Sequence, residues 1–161
     1  MIQKKILYTE IIEKIDALLA QETNVISAMA TVICELHHGV PFFHWSGFYL
    51  VDSPRLLTIG PYQGTHGCLK IPFEKGVCGA CARTGETQVV KDVHEIADHI
   101  ACSASTQSEI VVPVFSHEGR LVAVLDIDSD CPGAFDETDK HYLEIVCHKF
   151  RSFDWSLIPH H

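Results

Sequence analysis

Basic residues are scarce in this chain. Lysine and arginine together number 12 of 161 residues against 21 aspartates and glutamates, for a formal charge of −9. No five-residue window is rich in Lys or Arg, so the basic footprint needed to track a phosphate backbone is missing. That argues against nucleic acid and anionic membranes as main partners. No uninterrupted apolar run approaches the ~18 residues of a membrane span. The segment Met1-Ile2-Gln3-Lys4-Lys5-Ile6 also lacks the apolar core of a signal peptide. No Gly/Ser-rich linker, repeat or low-complexity tract divides the sequence. The expectation is one domain over 1–161, long enough to bury a core, in a reducing cytoplasm.

Cysteine, by contrast, is plentiful. Seven residues are too few for a small disulfide scaffold and generous for an ordinary enzyme. In a reducing compartment such thiols serve catalysis, metal binding or packing more often than structural bridging. Cys68 (Thr65-His66-Gly67-Cys68), Cys78 (Gly76-Val77-Cys78-Gly79) and Cys102 (His99-Ile100-Ala101-Cys102-Ser103) lie in the loop-rich middle. Small residues flank each, leaving room for a ligand or another sulfur. Cys34 and Cys147 fall inside predicted amphipathic helices and are expected to be buried as small hydrophobes. Cys131, beside Pro132 and Gly133, reads as a turn residue.

The patterning gives an α+β order. Leu7, Ile11, Ile15, Leu18 and Leu19 recur three or four apart over 4–19, which predicts a helix. Asn24 is placed to cap a second, with Ile26, Met29, Ala30, Ile33 and Leu36 as its inner face and Pro41 at its exit. Short apolar stretches follow at 45–51, 56–60 and 88–91. Two stronger strands, 110–116 and 120–127, flank the hairpin signal Glu118-Gly119. Asp136 caps a last helix carrying Tyr142, Leu143, Val146 and Phe150. A central, mostly antiparallel sheet is expected, with the N- and C-terminal helices on one face and a loop-built site on the other.

Carboxylates gather at one end of that sheet. Asp126 and Asp128 are two apart on a strand, so they share a face. Glu109 opens the preceding strand, and the hairpin returns both aspartates to it. Crowded like charges should raise at least one pKa and make a carboxylic acid available as a proton donor.

Taken together, the blocks Trp45-Ser46-Gly47-Phe48-Tyr49-Leu50, Gly60-Pro61-Tyr62-Gln63-Gly64, Gly76-Val77-Cys78-Gly79, His99-Ile100-Ala101-Cys102, Ser108-Glu109-Ile110-Val111-Val112-Pro113 and Leu125-Asp126-Ile127-Asp128-Ser129 resemble, in order and spacing, the free methionine-(R)-sulfoxide reductases. These are small GAF-fold enzymes, and the resemblance runs from about residue 10 to 148. It implies Cys102 as the nucleophile that becomes a sulfenic acid, Cys68 as the resolving cysteine that forms a disulfide with it, and Cys78 as an auxiliary or alternative resolver. It implies Glu109, Asp126 and Asp128 as the groups that hold the substrate amino group and help protonate the sulfoxide oxygen. Trp45 and Tyr49 would form aromatic walls, with Ile100 and Ala101 also at the substrate. The resemblance further implies no bound cofactor, no metal, thioredoxin as external reductant and a homodimer. Ser103 departs from it, standing where members commonly carry Asp.

Two rival readings follow from the same residues. Cys78-x-x-Cys81 with His66 and Cys68 has zinc-ligand character. A non-catalytic GAF sensor for a small ligand is the other, although sensors of that kind usually carry a linked output domain.

Overall fold

The computed structural model describes residues 2–96 and 105–158. Two helices, α1 (Ile2–Leu19) and α2 (Val25–Gly39), lead into strands β1 (Trp45–Ser53), β2 (Leu56–Gln63) and β3 (Lys70–Pro72). Helix α3 (Gly76–Thr84) and strands β4 (Gln88–Val90), β5 (Ser108–Phe115) and β6 (Leu121–Ser129) follow, and α4 (Glu137–Lys149) closes the order. The six strands form one sheet in the order β3-β2-β1-β6-β5-β4, and all five neighbouring pairs are antiparallel.

Local chemistry starts and stops the elements as expected. Asn24 Oδ1 accepts from the Ile26 and Ser27 amides at 2.9 and 3.1 Å, satisfying donors that the first turn of α2 leaves open. Asp136 and Asp139 form a reciprocal capping box on α4. Gly119 takes φ +81° in the β5–β6 turn, a conformation that favours glycine.

Strand alternation then divides the molecule into two layers. Ile110, Val112, Val114, Ala123, Leu125 and Ile127 pack against α1, α2 and α4. Glu109, Val111, Val124, Asp126 and Asp128 point to the opposite face. There α3 covers part of the sheet and buries Val77, Cys78, Cys81 and Ala82 with Trp45, Tyr49 and Leu57. This face is therefore built by a helix as well as loops. The α1–α4 contact is fixed by Asp139, fully buried, which accepts from Tyr8 Oη at 2.8 Å and pairs with Lys4.

Some expectations fail for a simple reason of angle. Cys34 is exposed, not buried. It follows Ile33 by one residue, about 100° around a helix of 3.6 residues per turn. The buried stripe of α2 is Val25, Ala28, Met29, Val32, Ile33 and Leu36, so Ile26 and Ala30 face outward. Leu18 is half exposed for the same reason. Strand β3, only three residues long, exists by pairing with Leu56, Leu57 and Thr58. No helix among the described residues is long and apolar enough to cross a membrane.

Candidate functional site

The register aligns the functional side chains into two adjacent rows. Glu109 lies opposite Asp128, and Asp128 opposite Trp45. In the next row on this face, Val111 lies opposite Asp126, Asp126 opposite Gly47, and Gly47 opposite Tyr62. The three carboxylates converge as the alternation requires, on the face that α3 covers.

Helix α3 lowers Cys78 onto this group. The Cys78 sulfur and one carboxylate oxygen each of Glu109 and Asp126 all lie within 4.8 Å of one another. Asp126 accepts hydrogen bonds from the Cys78 thiol and the Glu109 carboxyl. Its Oδ1 is buried with no hydrogen-bond partner among the described residues. Glu109 and Asp126 are 5% and 6% exposed, while Asp128 is half-buried and opens the group outward.

Burial decides the electrostatics. It holds Glu109 well above the ordinary carboxylate range, and the charges of Asp126 and Asp128 reinforce it. Burial also raises Asp126 to about 7, against the two hydrogen bonds that favour its ionised form. Asp128 rises through burial and then through the Asp126 charge. The sequence pointed to like-charge crowding as the cause, but removal from water is the larger effect. At neutral pH Glu109 is a neutral acid that donates to Asp126. Cys78, buried beside the same carboxylates, is held far above its ordinary value and is a poor source of thiolate.

An aromatic wall stands next to the acids. The Trp45 indole is stacked between Tyr49, with centroids 5.8 Å apart, and Tyr62, 5.5 Å apart. Its Nε1 donates to the Thr65 carbonyl at 2.8 Å. Gly47 lies beneath the ring, because a Cβ there would meet Trp45 Cη2 at 2.4 Å. Gly67 passes equally close, its Cβ position being 2.9 Å from Trp45 Cζ2 and 3.1 Å from Tyr49 Oη. That passage brings the next residue, Cys68, alongside the wall. Cys68 is half-buried and disulfide-bonded, unlike Cys34, Cys78, Cys81, Cys131 and Cys147, which are free.

Glu109, Asp126, Asp128, Cys78, Trp45 and Tyr49 thus share one face, with Cys68 at its side. Ile100, Ala101 and Cys102 lie outside the described residues. Tyr62, Gly47 and Thr65 were not singled out from sequence. The alternation Trp45-x-Gly47-x-Tyr49 carries a signal for Gly47, since a glycine between two aromatics on one strand face leaves space for a ring. The zinc reading on Cys78, Cys81, His66 and Cys68 does not assemble. Among the described residues the only grouping with metal-ligand geometry is Cys78, Glu109 and Asp126.

The GAF domain family model matches residues 22–150. The fold and site therefore define a GAF-domain protein. The free methionine-R-sulfoxide reductase of Escherichia coli is 36% identical over 136 residues, covering 84% of this chain and 81% of that protein. The crystal structure of the Neisseria meningitidis free methionine-R-sulfoxide reductase in complex with its substrate superposes with TM-score 0.86 at 41% identity, covering 92% of this chain and 88% of that one. The substrate complex of fRMsr from Staphylococcus aureus gives 0.84 at 37% identity over 89% and 93% of the two chains. Within the GAF domains, this chain belongs to the free methionine-R-sulfoxide reductase family.

Proposed function

We propose that this protein reduces free methionine-(R)-sulfoxide to methionine through a cysteine sulfenic acid and an intramolecular disulfide. The observation that carries this reading is the Glu109–Asp126 pair: a neutral carboxylic acid kept protonated by burial, beside an aromatic wall. The substrate complexes known for relatives of this chain support the choice of substrate.

The chemistry needs those groups in that order. A sulfoxide oxygen leaves poorly unless it is protonated, so an acid must stand beside it. Glu109 supplies that proton, and Asp126 and Asp128 hold the substrate ammonium. Trp45 and Tyr49 enclose the methyl end, with Ile100 and Ala101 beside it. The Cys102 thiolate attacks the sulfoxide sulfur; the S–O bond breaks, methionine leaves as the sulfide, and Cys102 ends as sulfenic acid. The Cys68 thiol then condenses with it, releasing water and forming the disulfide before further oxidation. Cys78 is the weaker resolver, since burial keeps its thiol protonated. A thioredoxin dithiol returns the two electrons. We place this cycle in the cytoplasm, in a homodimer of one-domain chains.

The test mixes the chain with R or S epimers of free methionine sulfoxide, thioredoxin, its reductase and NADPH. Consumption of the R epimer is expected, with loss of activity in Cys102→Ser. An inert R epimer overturns the activity, whereas full activity in Cys102→Ser overturns the nucleophile.

A further inference from the structure

The buried Cys78–Glu109–Asp126 cluster has a donor set that the reductase chemistry does not require. One sulfur and two carboxylate oxygens lie within 4.8 Å of one another. Two of the three edges are already hydrogen bonds, Cys78 to Asp126 and Glu109 to Asp126. A second observation is independent of the cluster's composition. Asp126 is 6% exposed, yet its Oδ1 has no partner among the described residues. An unsatisfied buried carboxylate oxygen costs stability unless something occupies the space it faces.

We propose that Cys78, Glu109 and Asp126 form a binding site for a divalent cation of the zinc class, which takes the carboxylate end of the pocket in place of the substrate. The exclusion of substrate rests on the function proposed above; the metal site does not. Three protein ligands with a fourth position open to water is a familiar arrangement for zinc. Metal–ligand bonds of about 2.0–2.3 Å fit a set of donors this close after small side-chain adjustment. A thiolate among the ligands selects zinc or cobalt over magnesium and calcium, which demand oxygen donors. On binding, the thiol and the carboxyl groups release their protons to solvent, so no oxidant or reductant is needed. The sequence motif Cys78-x-x-Cys81 contains one ligand of this site; Cys81 is instead packed into the core beneath α3.

The experiment titrates Co²⁺ alone into the disulfide form, in which Cys68 is already bonded. One cobalt per chain is expected, with a thiolate-to-cobalt charge-transfer band and tetrahedral d–d bands, both abolished by one equivalent of Zn²⁺. The near-isosteric Cys78→Ser removes the charge-transfer band. Asp126→Asn weakens binding at least tenfold, an effect of ligand loss on the order seen when metal sites are disturbed. The exposed Cys34→Ser leaves both unchanged. A charge-transfer band that survives Cys78→Ser, or wild-type affinity in Asp126→Asn, overturns the site. Free methionine sulfoxide, which the disulfide form cannot turn over, raises the apparent cobalt Kd at least tenfold at saturation; an unchanged Kd overturns the exclusion of substrate. The R-epimer assay is read separately. A chain that binds cobalt as described but reduces nothing refutes only the proposed function, and an active chain without the cobalt spectrum refutes only the metal site.

Discussion

Gly47→Ala probes the aromatic wall with a single methyl group. The alanine Cβ would stand 2.4 Å from Trp45 Cη2, 2.8 Å from Cζ3 and 2.7 Å from Tyr62 Cβ. Carbon contacts settle at about 3.5–4.0 Å, so the indole or the strand must move by roughly 1 Å. The ring has little freedom to do so, being stacked on both sides and bonded through Nε1 to Thr65. Overpacking of this kind costs about 1–3 kcal/mol, and loss of the Nε1 hydrogen bond adds about 1 kcal/mol. A wall displaced by about 1 Å reduces kcat/KM by on the order of 10²-fold if it positions substrate. Trp45→Phe deletes the Cη2 and Cζ3 atoms, leaving only the Tyr62 contact. Gly47→Ala should therefore cost at least ~1 kcal/mol less in that background than in the wild type. Urea unfolding of the four proteins in the cycle measures the coupling. Additivity to within about 0.5 kcal/mol would refute the idea that the ring is seated on the glycine.

Three further outcomes are expected. Glu109, Asp126 and Asp128 are all raised in the folded state, so the folded chain binds more protons than the unfolded one over that interval; their contribution to stability is complete below the ordinary carboxylate range and is lost as pH rises, through about 7 for Asp126. Urea midpoints of the substrate-free protein should fall across that window and fall less steeply in Asp126→Asn; parallel slopes would contradict the burial of this group. Tyr8→Phe removes the hydroxyl that donates to buried Asp139 and should cost about 1–2 kcal/mol; an unchanged thermal midpoint would show that Lys4 and the capping box satisfy Asp139 without it. Cys68→Ala should release one equivalent of methionine per chain and then stall with thioredoxin, and sustained turnover would make Cys78 or Cys81 the resolving thiol.

Much of the frame was legible before folding was considered. The apolar spacing of α1, α2 and α4, the Asn24 and Asp136 caps and the β5–β6 hairpin are local properties of the chain, and they appear at the expected positions. Helix faces were less legible, because one residue turns a side chain by about 100°. Cys34, Ile26 and Leu18 were misplaced by that rotation. Strand β3 left no readable pattern, since three residues hold no full period and its pairing comes from β2.

The carboxylates divide the same way. Sequence alone placed Glu109, Asp126 and Asp128 on one face, because strand side chains alternate and an antiparallel hairpin restores its partner to the starting end. Tertiary structure decided that Cys78 would descend onto them, that Gly47 and Gly67 would seat the indole beside them, and that Asp126 Oδ1 would be left unpartnered. It also decided which acid keeps its proton. Desolvation depends on everything packed around a group, and no stretch of neighbouring residues encodes it by itself.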